Sequence, residues 1–427
     1  MGNYGEVALP SRSSWLGQRA AAVPDRLALR AGGVDLTFAE LAAEASVAAE
    51  RFRADGVAGG AVVPLDLPPG PELVASLHAL WSLGAAAEPV PPSQTATTAP
   101  PAGHPQSLAG GEVFARLHTS GTTGEQRPVD LTRENFFHSA VGTALALGIG
   151  PQDRWLCCLP LHHVAGLSIV TRSAICGIGT VLHDGFDADR VAHSLAEDDV
   201  TLASLVATQL VRLLDVGADL TRPRALVLGG GPVPVDLIEQ ATDRGATVIQ
   251  VYGMTETTSQ VTLLEIADAE RKAGSAGRPL LGAELRTDEG EILVRGPMVA
   301  PGAETEDGWL RTGDLGTIDS EGFLWVDGRK DDLIVTGGEN VMPERVESVL
   351  RMHPDVADAA VVGRPDREWQ QAVTAIVVLR PGSREDAEGL RAHCAGELAG
   401  YEVPKSFAFV TELPRTASGK LMRSVLR

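Results

Sequence analysis

The sequence predicts an α/β protein with a large N-terminal domain of parallel-sheet subdomains plus a β-rich portion, followed by a small α+β C-terminal domain. From about residue 112, apolar strand-like runs alternate with helical stretches, which is typical of parallel sheets. Past residue 283 the pattern changes to short strands and Gly-rich turns. After Arg329 the order is helix, strand, strand, helix over roughly 100 residues, the size of one domain. We therefore expect a boundary near Gly328–Asp331, with domains at 1–328 and 329–427.

The first predicted helix opens with a capping box. Thr37 stands three residues before Glu40, and apolar residues then recur at helical spacing, which predicts a helix from about 38 to 53. Residues 89–111 are rich in Pro, Thr, Ala and Gly without apolar periodicity, so we expect a surface loop or linker there. Further helices are predicted at 71–84, 133–148, 187–197 and 233–244.

Composition excludes several partner classes. The 427 residues contain 36 Lys and Arg against 56 Asp and Glu, a formal net charge of −20, which repels nucleic acid and anionic lipid. No run of about 18 apolar residues and no basic, then apolar, N-terminal leader occurs. The four cysteines form no CxxC pair, and adjacent Cys157 and Cys158 suit a buried strand. We expect a cytoplasmic protein that binds neither nucleic acid nor membrane.

A loop rich in hydroxyls and glycine lies between a strand-like "VFARL" and a helix-like "TRENFFHSAV". Small residues let backbone N–H groups approach a phosphate, and hydroxyls add donors. An ordinary Ser/Thr turn would use the same residues. No Gly-Lys-Ser/Thr follows, so this is not a P-loop. The candidate phosphate-binding residues are Thr119, Ser120, Gly121, Thr122, Thr123 and Gly124.

Five further motifs follow this loop in the chain. With them, nearly the whole chain resembles the adenylate-forming superfamily of acyl-CoA synthetases, nonribosomal adenylation domains and luciferases. The resemblance implies ATP, Mg²⁺ and coenzyme A as cofactors or co-substrates, and homo-oligomers are common among such proteins. The motifs are "LGGGPVP" at 228–234, "VYGMTETTSQ" at 251–260, "GWLRTGDLG" at 308–316, "DGRKDDLIVTGGENVMPERVE" at 327–347 and "LPRTASGKLMR" at 413–423.

Residue chemistry and the resemblance together indicate the catalytic groups. Thr255 and Glu256 follow a strand and a Gly turn, where a hydroxyl can meet a phosphate and a carboxylate can hold Mg²⁺. The resemblance makes Glu256 the Mg²⁺ ligand and Lys420 the catalytic lysine, although a lone lysine would ordinarily be a surface charge. It also assigns nucleotide binding to Gly230, Gly231, Tyr252, Asp314 and Arg329, the last two at the ribose.

The expected domain boundary also predicts a movement of the C-terminal domain. In similar enzymes the C-terminal domain swings between an adenylate-forming and a thioester-forming pose, and Asp331 resembles the hinge. Gly337 and Gly338 resemble the loop that meets the thiol arm of coenzyme A, although a plain β-turn would also use them. One departure follows the phosphate loop: many relatives have "KPKGV" where this chain has Glu125-Gln126-Arg127-Pro128-Val129. Pyrophosphate handling by this loop is therefore in doubt, because Arg and Lys are not interchangeable.

Within the superfamily the chain resembles the o-succinylbenzoate–CoA ligases of menaquinone biosynthesis, chiefly in "LPLHHVAGLSIVTRSAICG" at 159–177 and in the motifs above. That resemblance indicates substrate residues at His163, Gly253, Ser259 and Gln260, the last two suited to hydrogen-bond a second carboxylate. Benzoate-type, fatty-acyl and 4-coumarate-type ligases stay open, with a long fatty acid the least attractive. So do a carrier-loading adenylation enzyme and a non-catalytic adenylate-binding protein.

Overall fold

The computed structural model describes residues 14–92, 113–120, 126–415 and 421–427. Within these ranges the α-helices are α1 (Trp15–Ala22), α2 (Phe38–Ala54), α3 (Pro71–Ser82), α4 (Arg133–Leu147), α5 (Val164–Cys176), α6 (Ala188–Glu197), α7 (Ala207–Asp215), α8 (Val235–Asp243), α9 (Pro343–Met352) and α10 (Ala387–Glu397).

The strands of the described residues are β1 (Leu27–Ala31), β2 (Val34–Thr37), β3 (Val62–Leu65), β4 (Ala86–Pro89), β5 (Val113–Ser120), β6 (Gln126–Thr132), β7 (Arg154–Cys157), β8 (Gly179–Leu182), β9 (Leu202–Leu205), β10 (Ala225–Leu228), β11 (Val248–Tyr252), β12 (Thr262–Leu263), β13 (Arg278–Pro279), β14 (Glu284–Asp288), β15 (Glu291–Arg295), β16 (Leu310–Ile318), β17 (Leu324–Arg329), β18 (Ile334–Thr336), β19 (Glu339–Val341), β20 (Val356–Asp366), β21 (Gln370–Leu379) and β22 (Ser406–Phe409).

The predicted helices form close to their expected bounds, and α2 shows why. The Thr37 hydroxyl accepts from the Glu40 N–H at 3.2 Å, while Glu40 Oε2 accepts from the Thr37 N–H at 2.8 Å. Both bonds occupy donors that a helix start leaves open. Phe38, Leu41 and Ala45 then bury one face of the helix. The linker expected at 89–111 falls mostly outside the described residues, from 93 onward.

A nine-stranded sheet forms the centre of the N-terminal part, in the order β13-β12-β11-β10-β9-β7-β8-β1-β2. Its six inner strands from β11 to β1 are all parallel, which confirms the predicted α/β class. Parallel strands place their carboxyl ends at one edge, so the loops after β7, β9, β10 and β11 emerge side by side. Cys157 lies in β7, and it and Cys158 are buried free thiols, as expected.

A second sheet, in the order β3-β4-β5-β6, corrects one expectation. We expected the hydroxyl-rich loop to join a strand to a helix. Instead β5 pairs antiparallel with β6 (Gln126–Thr132), and α4 begins only after that strand. Leu131 of β6 is fully buried, and the Thr132 side chain caps α4. The alternation of polar and apolar residues in β6 was the sequence signal for this strand.

Two smaller sheets complete the molecule, as the sequence predicted. Strands β14 to β17 form an antiparallel four-stranded sheet. Strands β18 to β22 form a five-stranded sheet on which α9 and α10 pack, around a core from Ile334 to Leu398. The two sheets have separate apolar cores, and the chain passes between them at Arg329 and Lys330. No helix of the described residues combines the length and apolarity that crossing a membrane requires.

Candidate active site

Three residues predicted to bind the nucleotide meet in the structure, and we call them the Asp314 cluster: Tyr252, Asp314 and Arg329. Tyr252 ends β11, while the antiparallel pairing of β16 and β17 sets Asp314 directly opposite Arg329. The Tyr252 hydroxyl donates to Asp314 Oδ2 at 2.7 Å, and Arg329 Nε lies 3.2 Å from Asp314 Oδ1. Residues from three strands, β11, β16 and β17, therefore meet at one carboxylate.

The cluster presents an oriented, anionic acceptor. Burial, together with the neighbouring Asp314 carboxylate, raises the pKa of the Tyr252 hydroxyl above its usual range, so this group is a neutral donor at physiological pH. Arg329 Nη1 also donates to the Thr312 carbonyl at 2.9 Å, which fixes the guanidinium. Each carboxylate oxygen has two acceptor positions, so Asp314 can accept further hydrogen bonds while held by Tyr252 and Arg329.

The segment after β11 makes a closed turn that begins at Gly253. A Cβ at Gly253 would lie 1.7 Å from the Ser259 carbonyl oxygen, so only glycine fits there. Between these residues Thr255–Thr257 form a single 3₁₀ turn, and Ser259 adopts a φ of 84°. Such left-handed conformations at non-glycine residues concentrate at functional sites. Thr255 and Glu256 are partly buried at the exposed side of this turn.

The back of the same turn is bound to α4. The Gln260 amide donates to the Thr143 hydroxyl at 2.7 Å, and Ser139 Oγ donates to the Thr258 carbonyl at 2.9 Å. Gln260 is only 4% exposed. In this structure the Gln260 amide donates toward α4. The expected contact of Gln260 with the acid stays a prediction, and it would require the acid to accept from this amide as well.

Further predicted residues lie at the carboxyl edge of the main sheet. Gly230 and Gly231 follow β10, next to the Gly253 turn that follows the parallel neighbour β11. His163 follows β7 and is the N-cap residue of α5, with its ring 4.5 Å from that of His162. Burial lowers the pKa of His163, and burial together with His163 lowers that of His162 to about 4. Both imidazoles are thus neutral at pH 7 and can donate and accept hydrogen bonds.

The hydroxyl-rich loop is only partly described. Thr119 and Ser120 end β5, whereas Gly121, Thr122, Thr123 and Gly124 lie outside the described residues. Thr119 Oγ1 lies 3.4 Å from the Arg127 carbonyl, its pairing partner in β6. The exposed Arg127 therefore sets a positive charge beside the loop, on the returning strand.

The remaining predicted residues belong to the C-terminal part. Asp331 lies in a single 3₁₀ turn, Lys330–Asp332, directly after β17, and Gly337 and Gly338 form the turn between β18 and β19. The Gly337 N–H donates to the Trp369 carbonyl at 2.9 Å. Lys420 lies outside the described residues, between Arg415 and Leu421, which form a short antiparallel bridge.

One further candidate is Arg172 of α5, which lies in the stretch 159–177 but was not singled out as a ligand-binding residue from the sequence. This arginine is 1% exposed and packs 4.7 Å from the centre of the Trp155 ring. Its Nε and Nη2 have no hydrogen-bond partner among the described residues. Burial lowers the pKa of Arg172 to about 10, so the group stays charged at neutral pH. A buried, unpaired cation is costly unless an anion approaches it.

These features define a nucleotide-binding enzyme of known class. The profile of the AMP-binding enzyme family matches residues 16–99 and 98–302, and that of the AMP-binding enzyme C-terminal domain matches residues 345–420. The chain therefore belongs to the AMP-binding enzyme family. It is 38% identical to the 2-succinylbenzoate–CoA ligase of Bacillus licheniformis over 98% of this chain and 100% of that protein.

Solved structures of a Bacillus subtilis relative add a comparison of poses. The o-succinylbenzoate CoA synthetase in complex with the acyl-adenylate intermediate OSB-AMP superposes with a TM-score of 0.88 at 36% identity, covering 97% of this chain and 98% of that one. Its complex with ATP and magnesium gives 0.86 at 35% identity, with 96% and 98% covered. A double mutant bound to the product analogue OSB-NCoA gives only 0.69 at 36% identity, with 97% of each chain covered.

Proposed function

We propose that this chain is an AMP-forming 2-succinylbenzoate–CoA ligase. The observation that carries the proposal is the 38% identity to a ligase of that name along 98% of this chain and all of the other. The similarity to the synthetase bound to OSB-AMP, at a TM-score of 0.88, supports the same reaction. The substrates are 2-succinylbenzoate, ATP and coenzyme A, with Mg²⁺.

The reaction has two steps. A carboxylate oxygen of the acid attacks the α-phosphorus of ATP, the bond to the bridging oxygen of pyrophosphate breaks, and an acyl-adenylate forms. The sulfur of coenzyme A then attacks the acyl carbon, its proton is lost, and AMP leaves with the carboxylate oxygen. The first step brings two anions together, so positioned donors and cations must offset the repulsion.

The Asp314 cluster holds the ribose in this proposal. Asp314 accepts hydrogen bonds from the two ribose hydroxyls, while the Tyr252 hydroxyl and Arg329 keep its carboxylate in place. Gly230 and Gly231 leave room for the nucleotide at the carboxyl edge of the sheet. Thr119 through Gly124 and Thr255 bind phosphate oxygens through N–H and hydroxyl groups.

Glu256 is the proposed ligand for magnesium. Among the described residues no hydrogen bond or ion pair engages its carboxylate, and the Gly253 turn exposes it beside the predicted phosphate-binding Thr255. Carboxylate oxygens with phosphate oxygens and water are the ligands Mg²⁺ prefers, so the residues present suit the ion. When bound, Mg²⁺ neutralises phosphate charge and favours departure of pyrophosphate.

The second carboxylate of the acid requires a cation, and Arg172 supplies it. The Nε and Nη2 nitrogens of this buried guanidinium, which have no hydrogen-bond partner among the described residues, suit a carboxylate. Arg172 lies in α5, the helix that begins after His163, and the neutral His163 ring, Gly253, Ser259 and Gln260 form the polar remainder of the acid site. A monocarboxylic acid would leave the Arg172 charge unpaired, so the site selects a dicarboxylate.

The C-terminal domain, residues 329–427, supplies the last groups. Lys420 offsets the charge that develops between carboxylate and α-phosphate. Asp331 is the hinge, and Gly337 and Gly338 meet the thiol arm of coenzyme A in the second pose. The cytoplasmic location and the homo-oligomeric state stay predictions, to be tested by cell fractionation and by light scattering of the purified protein.

The test of the reaction is a panel of acids with the purified protein, ATP, Mg²⁺ and coenzyme A. AMP release and acyl-CoA mass are measured for 2-succinylbenzoate, benzoate, 4-coumarate and a fatty acid. We expect AMP and thioester from 2-succinylbenzoate in equal amounts, and neither without coenzyme A in the steady state. Preference for another acid, or transfer to a carrier protein in place of coenzyme A, would contradict the proposal.

The role of Arg172 has its own test. The matched acids are 2-succinylbenzoate and 4-oxo-4-phenylbutanoate, which lacks the ring carboxylate. We expect the wild type to prefer the dicarboxylate in kcat/KM by about 10- to 100-fold, and Arg172→Met to remove that preference. Arg172→Lys should retain part of it because the cation remains. An unchanged preference in a folded Arg172→Met variant would exclude the contact.

A further inference from the structure

Two consecutive residues of the Gly253 turn have left-handed backbone conformations. Thr258 has a φ of 52° and a ψ of 52°, and Ser259 follows with a φ of 84°. This conformation brings the Cβ atom close to the following carbonyl oxygen, and it is an outlier for a β-branched residue such as threonine. It persists only where the surrounding structure fixes it. The turn therefore depends on the contacts that hold Thr258.

Thr258 is fully buried, and each of its polar groups has a partner. Its hydroxyl donates to the Met298 carbonyl at 2.7 Å, and its carbonyl accepts from Ser139 Oγ at 2.9 Å. Its N–H donates to the Thr255 carbonyl at 3.0 Å, which closes the single 3₁₀ turn. Two of these bonds connect the Gly253 turn to other elements, namely the segment after β15 and the helix α4.

The segment after β15 is itself fixed by α4. Asn135 Nδ2 donates to the Pro297 carbonyl at 2.8 Å and to the Val299 carbonyl at 2.9 Å. The next residue, Ala300, donates its N–H to the Glu256 carbonyl at 2.8 Å. The main chain of the Gly253 turn is therefore bound to a fixed segment at Glu256 itself.

The position of the Glu256 carboxylate follows from the main chain of this turn. Among the described residues no hydrogen bond or ion pair engages that carboxylate, so no side-chain contact fixes it. Thr258 lies two residues further along and ties the same turn to Met298. A carboxylate on a fixed turn loses less conformational entropy when it binds a cation than one on a mobile turn.

We propose that Thr258 is a positioning residue that holds the Glu256 carboxylate in place for Mg²⁺. The role rests on the function proposed above, in which Glu256 is the magnesium ligand. The Thr258 hydroxyl is bonded to a carbonyl in the interior, so its effect on the ion passes through the main chain of the turn. Ser139 supports the same turn from α4 through the Thr258 carbonyl. Losing either bond loosens the turn, which weakens binding of a metal–nucleotide complex and leaves binding of a metal-free nucleotide unchanged.

The experiment compares the binding of two nucleotides to the purified protein in the absence of any acid. The manganese complex of α,β-methylene-ATP probes the metal, because its methylene bridge prevents release of pyrophosphate. AMP without metal probes the ribose contact at Asp314. Thr258→Val keeps the β-branched shape and removes the hydroxyl. By calorimetry we expect it to weaken binding of the manganese complex by about three- to tenfold and to leave AMP binding within about twofold of the wild type.

Thr262→Val is the matched control. The Thr262 hydroxyl donates to the Ala276 carbonyl, also at 2.7 Å, and the residue is fully buried in β12, outside the turn. Losing this bond should lower the Tm by a similar amount and change neither affinity. Thr258→Ser keeps the hydroxyl and should bind the manganese complex within about twofold of the wild type. Ser139→Ala removes the other anchor and should weaken that complex by about two- to fivefold, which tests the proposal even if Thr258→Val does not fold.

The Glu256→Gln background separates positioning from a general loosening of the fold. Glu256→Gln alone should weaken the manganese complex by about tenfold. Adding Thr258→Val should then change the affinity by less than about twofold, because the positioned carboxylate is gone. Equal weakening of both nucleotides, an unchanged affinity for the manganese complex in Thr258→Val or in Glu256→Gln, or a full additional loss in the double variant would overturn the proposal. Turnover of a different acid would overturn the proposed function and leave this inference intact, because neither nucleotide contains the acid.

Discussion

The Asp314 cluster and a second group, which we call the tail cluster, lie on either side of the predicted hinge at Asp331 and differ in charge balance. The tail cluster consists of Asp332, Glu344, Glu347, Arg423 and Arg427. Asp314 contacts the Arg329 guanidinium through one carboxylate oxygen and the neutral Tyr252 hydroxyl through the other. The tail cluster sets two arginines against three carboxylates, and Glu344 Oε2 has no hydrogen-bond partner among the described residues. The first arrangement fixes a carboxylate for binding. The second leaves one buried carboxylate oxygen, Glu344 Oε2, without a hydrogen-bond partner among the described residues.

Lys420→Ala should have the largest effect, and it tests the C-terminal side of the comparison. We expect adenylation to fall by about 100- to 1000-fold, because the charge formed between carboxylate and phosphate loses its cation. Thioester formation from preformed acyl-adenylate should stay near the wild-type rate, which is the internal control. Similar losses in both half-reactions would contradict a role of Lys420 that is specific to the first step.

Asp314→Asn tests the other member of the comparison, the Asp314 cluster. We expect KM for ATP to rise by about 10- to 100-fold, because the amide cannot accept from all its present partners and from the ribose. The loss should affect pyrophosphate exchange and AMP binding alike. Tyr252→Phe is the matched variant: it removes one donor to Asp314 and should raise KM by less than about tenfold. A normal KM in Asp314→Asn would exclude ribose binding there.

Asp331→Pro acts between the two clusters. Proline fixes φ near roughly −65°, so one pose should be trapped and the ratio of the two half-reaction rates should shift by about tenfold. Asp331→Ala removes the same carboxylate without fixing the backbone and should leave the ratio close to that of the wild type. If both variants retain the normal ratio, the hinge lies elsewhere.

Protonation of Glu344, a member of the tail cluster, should have a smaller effect, which is a pH dependence of the Tm. Burial raises the pKa of Glu344 to about 7 from 4.5; Arg423 opposes the shift, and Glu347 and Asp332 add to it. The folded state thus binds this proton more tightly than the unfolded state, so the stabilisation is complete below about pH 4.5 and is lost as pH rises through about 7. Relative to Glu344→Gln, the Tm of the wild type should fall by about 2–6 °C between pH 5 and 8. If the Tm of the wild type and that of Glu344→Gln changed in parallel with pH, the raised pKa of Glu344 would be contradicted.

Local signals in the sequence predicted many of the elements. The helix α2 was predicted because Thr37 and Glu40 form a capping box and apolar residues recur behind them. The helix α5 was not predicted from periodicity, because nearly every residue from Val164 to Ile175 is buried, the polar ones included. The helix therefore has no exposed polar face that would mark its period. The strand β6 was missed because its alternation is short and contains a proline.

The candidate active site shows the same contrast between residues that local sequence signals identify and contacts that depend on the tertiary structure. Motifs singled out Tyr252, Asp314 and Arg329 separately, since each lies in a recognisable stretch of sequence. Their contact depends on β11 ending beside the β16–β17 hairpin, a pairing between residues far apart in the chain. Arg172 lies in the stretch 159–177, but the sequence did not single it out, because the lack of a hydrogen-bond partner among the described residues depends on its surroundings and on nothing in the adjacent residues.

Local patterns in the sequence predict the class of fold, many of the elements and most of the candidate residues, because capping, periodicity and glycine-rich turns involve neighbouring residues. Tertiary structure alone decided which charges are paired. In the part of the chain that the structure describes, it leaves Nε and Nη2 of the buried Arg172 without a hydrogen-bond partner and brings Arg427 to the carbonyl of Asp331. Burial and electrostatic pairing depend on residues that are distant in sequence, so no local pattern specifies them.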